Sequence, residues 1–96
     1  MLKVTNKAAA ILKAAKTAEG ASADAGIRIH QAPLPDGSRE RGIGIAVTVK
    51  EQPEINDQVL EQDGLRVFLE SALIEPLDER TLDVQEADQG MELVFR

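Results

Sequence analysis

Apolar positions along the chain change period once, dividing it into a helical opening and a strand-rich remainder. Between Thr5 and Glu19, Ala8, Ile11, Leu12 and Ala15 recur at the 3.6-residue spacing of one helix face, while Lys7, Lys13 and Lys16 fall elsewhere. Thr5 offers the hydroxyl of an N-cap, and Gly20 stands where a left-handed residue closes a last turn. Leu2 to Val4 read as a short leading strand. From Ile27 onward the period is two: Ile27 and Ile29 alternate with Arg28 and His30, and Ile43, Ile45, Val47 and Val49 alternate with Gly44, Ala46, Thr48 and Lys50.

The same alternation returns in Leu65, Val67 and Leu69, in Leu82 and Val84, and in Met91, Leu93 and Phe95. Asp63-Gly64, set between Val59–Gln62 and Leu65, predicts a type I′ hairpin, because both residues tolerate positive φ. Ser71 to Asp78 predicts a short helix capped by Ser71 or Glu70. Pro76 lacks an amide proton and crowds the carbonyl of Ala72, so little more than one turn is expected. The predicted fold is α+β: a small, mostly antiparallel sheet or sandwich, one N-terminal amphipathic helix packed on it and one short second helix. Residues 1–96 read as one domain, since two cores of this size would each be too small to stand alone.

Composition then removes whole classes of chemistry. No cysteine is present, which excludes disulfides, thiolate nucleophiles, thiolate zinc sites and cysteine-held iron–sulfur clusters from these residues. His30 is the one histidine, so no site in one chain can use two imidazoles. The net charge of −6 opposes phosphate-backbone binding, and without Tyr or Trp no aromatic platform for bases exists beyond two Phe. Charge is uneven: residues 1–41 balance at +3 and residues 42–96 at −9, which favours a basic partner or serves solubility. No apolar run has signal-peptide or membrane-spanning length, so a cytoplasmic location without membrane contact is expected.

Few side chains suggest a site. The loop Ala32 to Arg41 is too long for a tight hairpin turn, and loops of that length are enriched in function. His30 with Asp36 and Glu40 is a chemically allowed metal-ligand set, and Arg39, Glu40 and Arg41 form a candidate partner or anion loop. Against the first, His30 alternates with Ile29 and reads as an ordinary polar residue on the far face of its strand. Ser38 lacks the strand, tight turn and helix that activate a serine, and Gly42-Ile43-Gly44 runs into a strand rather than a helix N-terminus. Glu51 with Glu54, and Glu75 with Asp78 and Glu79, read as solvated turn charges. No catalytic residue is expected.

The order of elements resembles the HesB-like, or A-type iron–sulfur carrier, family. Leu2 to Ala10, with Thr5-x-x-Ala8-Ala9-Ala10 opening the helix, and Ile27-Arg28-Ile29 resemble the family's first strand, first helix and second strand. Pro53 to Glu70 resembles its proline turn and hairpin, and Ile74, Leu77-Asp78 and Leu82-Asp83 its short helix and next strand. Gly90-Met91-Glu92-Leu93 resembles its final strand. The resemblance implies cluster carriage through one cysteine in the loop after the second strand and a C-terminal Cys-Gly-Cys. Here Arg39, Glu40 and Arg41 stand near the first position, and the sequence reaches Arg96 without the second. The expectation is a non-enzymatic HesB-like domain with no cofactor, acting as a protein-interaction or structural module with a protein partner. The resemblance also admits a homodimer, across which two loops could converge on a mononuclear metal or an anion.

Overall fold

A computed structural model describes residues 1–33, 43–88 and 90–96. Its elements are β1 (Lys3–Val4), α1 (Asn6–Ala18), β2 (Gly26–Pro33), β3 (Ile43–Lys50), β4 (Gln58–Gln62), β5 (Leu65–Leu69), α2 (Ser71–Ile74), β6 (Thr81–Ala87) and β7 (Gly90–Phe95). The strands form a four-stranded sheet in the order β3-β2-β5-β4 and a three-stranded sheet in the order β1-β6-β7. The pairs β2–β3, β4–β5 and β6–β7 are antiparallel, whereas β2–β5 and β1–β6 are parallel. Parallel neighbours require crossovers: β3 and β4 lie between β2 and β5 in the chain, and everything from α1 to α2 lies between β1 and β6.

Local chemistry sets the helix ends. Thr5 is extended at φ −69°, ψ 159°, and its Oγ1 accepts from the Ala8 amide at 3.2 Å. At the other end Gly20, at φ +70°, lets its own amide and that of Ala21 donate to the carbonyls of Thr17 and Lys16. The buried stripe is Ala8, Ala9 and Leu12, rotated from the expected Ala8, Ile11, Leu12 and Ala15. Ile11 lies 38% exposed, because two adjacent alanines bring the helix axis close to the strands and leave the bulkier side chain at the margin. Asp63 and Gly64 take φ of 54° and 77°, giving the β4–β5 turn with Gln62 opposite Leu65.

The short helix also departs from expectation. Glu70 holds the N-cap position, but neither its side chain nor the Ser71 hydroxyl caps the helix. The Glu70 carboxylate is turned to the other side, toward Arg28 and the Gln31 amide.

The inner faces of both sheets close on one apolar cluster that includes Leu2, Val4, Ile27, Ile29, Leu60, Leu65, Val67, Leu69, Leu82 and Val84 beneath α1. Phe68 is fully buried on the opposite face of β5, breaking the alternation that its neighbours obey. Its ring lies against Gly26, where a Cβ would fall 2.8 Å from the ring and 2.8 Å from the Arg66 carbonyl. A side chain at that position therefore forces β2 and β5 apart.

β1 has β6 on one side. On the other, the Gln62 side chain of β4 acts as a surrogate strand: its Nε2 donates to the Leu2 carbonyl at 2.6 Å, and its Oε1 accepts from the Val4 amide at 2.8 Å. This carboxamide ties the two sheets together. Replacing it by leucine keeps the volume and orphans two backbone groups, so Gln62→Leu is expected to lower stability by about 2 kcal/mol in urea unfolding. A loss under about 0.5 kcal/mol would show that water satisfies this edge instead.

Candidate functional site

Because β2 alternates, Ile27 and Ile29 enter the core while Arg28 and His30 emerge on the outer face of the four-stranded sheet. Arg28 lies opposite Thr48 of β3 and Phe68 of β5. Its Nε donates to Asp57 Oδ2 at 2.9 Å and its Nη2 to Asp57 Oδ1 at 3.1 Å, the bidentate fork that matches a guanidinium to a carboxylate. Nη2 also reaches Glu70 Oε2 at 3.4 Å. The Arg28 and Asp57 side chains are 13% and 2% exposed, so the pair is almost withdrawn from water.

Asp57 has a further partner. Its Oδ2 accepts from the Glu54 amide at 2.9 Å, and its own amide donates to the Glu54 carbonyl at 3.1 Å, closing a turn in which Asn56 sits at φ +73°. Ile55 is left 89% exposed at the tip. Glu70 in turn accepts from the Gln31 amide at 3.4 Å while its own amide donates to Ile29 at 3.0 Å. Three charges thus staple β2, the turn before β4 and the β5–α2 junction. The hydrogen bonds from Arg28, helped by that from Glu54, hold the Asp57 carboxyl below the usual carboxylate range against the opposing effect of burial. The same bond to Asp57 raises the Arg28 guanidinium. Held by Arg28 and the Glu54 amide in this way, Asp57 anchors the turn before β4 to β2.

His30 is half-buried beside this knot. Its Nδ1 lies 3.0 Å from the Gln31 carbonyl, which only accepts, so Nδ1 carries the proton. In the neutral ring Nε2 then accepts from Thr48 Oγ1 at 3.4 Å. Among the described residues no group of three or more His, Cys, Asp and Glu is placed to hold a metal ion. The candidates Asp36, Arg39, Glu40 and Arg41, with Ser38 and Gly42, lie outside the described residues. Gly44 lies in β3 with no helix N-terminus following it. Glu51, Glu54, Glu75, Asp78 and Glu79 are exposed. Glu51 receives the Ser22 amide and hydroxyl, and Asp78 pairs with the amino terminus, which lowers its carboxyl. Among the described residues no helix is long and apolar enough to cross a membrane.

The Arg28–Asp57–Glu70 knot was not foreseen from the sequence. A polar residue opposite two isoleucines marks an outward position, but nothing local says that its partners stand 29 and 42 residues away.

Removing Arg28 strands a nearly buried carboxylate, so Arg28→Met is expected to cost about 3 kcal/mol in urea unfolding. The sign with pH follows from the depressed Asp57 carboxyl. Its contribution is complete above the unfolded value near ~4 and is lost as pH falls through the lower folded value. Unfolding curves recorded at falling pH should therefore show a steeper stability loss for the native chain than for Asp57→Asn.

No family model and no curated protein matches the sequence. Solved structures do. IscA, solved with a 2Fe-2S cluster, superposes with a TM-score of 0.79 at 20% identity, over 100% of this chain and 84% of its own. SufA of Escherichia coli, involved in the biosynthesis of iron–sulfur clusters, gives 0.73 at 18%, over 99% of this chain and 83% of its own. A protein from Aquifex aeolicus solved in solution gives 0.73 at 24%, over 99% and 89%. Identities this low speak for the arrangement of the backbone and not for the chemistry it carries, and on that ground the chain has the α+β, HesB-like fold shared with IscA and SufA.

Proposed function

We propose that the chain is a non-enzymatic member of the HesB-like group that does not itself hold a cluster and works as a small protein-interaction or structural module. The observation that carries this reading is the donor set. A backbone that superposes on IscA over 100% of this chain and 84% of IscA contains no thiolate among its 96 residues. Iron–sulfur clusters need soft sulfur donors, and carboxylates or a lone imidazole do not replace them. A cluster therefore does not fit the residues present, and no step is routed through one.

Against an enzyme, the anchored acids on the outer face are already satisfied: Asp57 by Arg28 and Glu54, and Glu70 by Arg28 and Gln31. Against nucleic acid stands the net charge of −6. The reading places the module in the cytoplasm, as one domain with a protein partner; a homodimer is compatible with it.

Anaerobic reconstitution with ferrous iron and sulfide, followed by desalting, tests the reading. The expected result is no sulfide-to-iron charge-transfer absorption, with iron passing through unbound. A stable brown holoprotein would overturn it.

A further inference from the structure

β3 is the outermost strand of its sheet: one backbone edge pairs with β2, and among the described residues no strand pairs with the other. Folded sheets blunt such edges with charges, prolines, bulges or short strands. β3 uses none of these over most of its length. Its ladder with β2 runs unbroken from Gly26↔Lys50 to Pro33↔Ile43, and residues 43–49 contain neither a charge nor a proline. The opposite margin is treated differently, since β4 has five residues and carries Glu61.

The inner row of β3 is apolar and incompletely covered. Ile45 is 42% exposed and Val47 and Val49 are half-buried. Between this row and α1 runs a groove of about 260 Å³, lined by Leu12, Ala15, Ile27, Val47 and Val49, with Glu19 as its charged residue. A strand laid along β3 sends alternate side chains into that groove and the others beside Gly44, Ala46 and Thr48. Charge decides between occupants. A cation on the inner row of the incoming strand meets Glu19, and a molecule of net charge −6 disfavours an acidic partner. A second copy supplies no such cation from β3, whose one charged residue, Lys50, belongs to the outer row.

We propose that the free edge of β3 and its groove dock an extended segment of a basic partner protein by strand addition, with alternate apolar side chains in the groove and a Lys or Arg facing Glu19. This surface deepens the interaction reading above and rests on it.

The probe is the peptide acetyl-Val-Thr-Val-Thr-Val-Thr-Lys-Thr-amide, titrated into the isotope-labelled full chain and followed by amide chemical shifts and hydrogen exchange. Shift changes are expected in residues 44–50 and around Leu12, Ala15 and Glu19, with slowed exchange along β3. Replacing the peptide lysine by glutamate should weaken binding about threefold, and Glu19→Gln should remove that difference. Ile45→Lys, at a partly exposed position that leaves the core intact, should weaken binding about tenfold while the spectrum stays dispersed. Shifts confined to another face, no binding, or equal binding by Ile45→Lys would overturn the inference and leave the interaction reading to a different surface. Sedimentation showing a dimer with β3 amides protected before any peptide is added would assign the edge to a second copy, and also overturn it.

Discussion

A two-residue strand has two backbone edges, and β1 finds a strand for only one of them among the described residues, so the joining of the two sheets turns on how its second edge is satisfied. Gln62 solves this by geometry. Its carboxamide offers one donor and one acceptor at the spacing of a neighbouring peptide, and it comes from the last residue of β4, where the Asp63-Gly64 turn fixes its position. The joint continues at Thr5, whose hydroxyl caps α1 and donates to Asp83 Oδ1 at 3.0 Å. Asp83 in turn accepts from the Val84 amide and from Arg96 Nε, and these bonds keep its carboxyl ionised below the usual range. The start of α1, β6 and the end of β7 are therefore held around one carboxylate.

This frame is held by contacts that the chain supplies from its own strands and turns. The apolar seam, the Gln62 bridge and the Arg28–Asp57 fork all lie within the described residues. Function generally sits on sites grafted onto folds, so a shared backbone does not by itself carry a shared chemistry. The described surface presents a sheet edge without charge over residues 43–49, an apolar groove and an acidic C-terminal half.

Sequence reading succeeded where the determinant is local. Thr5, Gly20 and Asp63-Gly64 act through their own hydroxyl or their own φ, and the period-two rows of β2, β3 and β5 show which residues face inward. It failed where the determinant is a partner distant in the chain. The burial of Phe68 depends on Gly26 and Arg66, which only the fold brings against it; the Arg66 guanidinium lies 5.4 Å from the ring centre. Parallel pairing of β2 with β5 and of β1 with β6 leaves no signature in either strand alone. Of the proposed site, His30 stands on the outer face of β2 opposite Ala46, whereas its suggested companions Asp36, Arg39, Glu40 and Arg41 fall outside the described residues.

We propose that a backbone shared with cluster carriers persists here without holding a cluster. The most direct measurement is the iron and acid-labile sulfide content of the chain isolated anaerobically from the cell that makes it, since that preparation preserves any ligand supplied by a companion. Neither element is expected above trace in the isolated chain. Near-stoichiometric iron and sulfide that remain with it after separation from every other protein would contradict it.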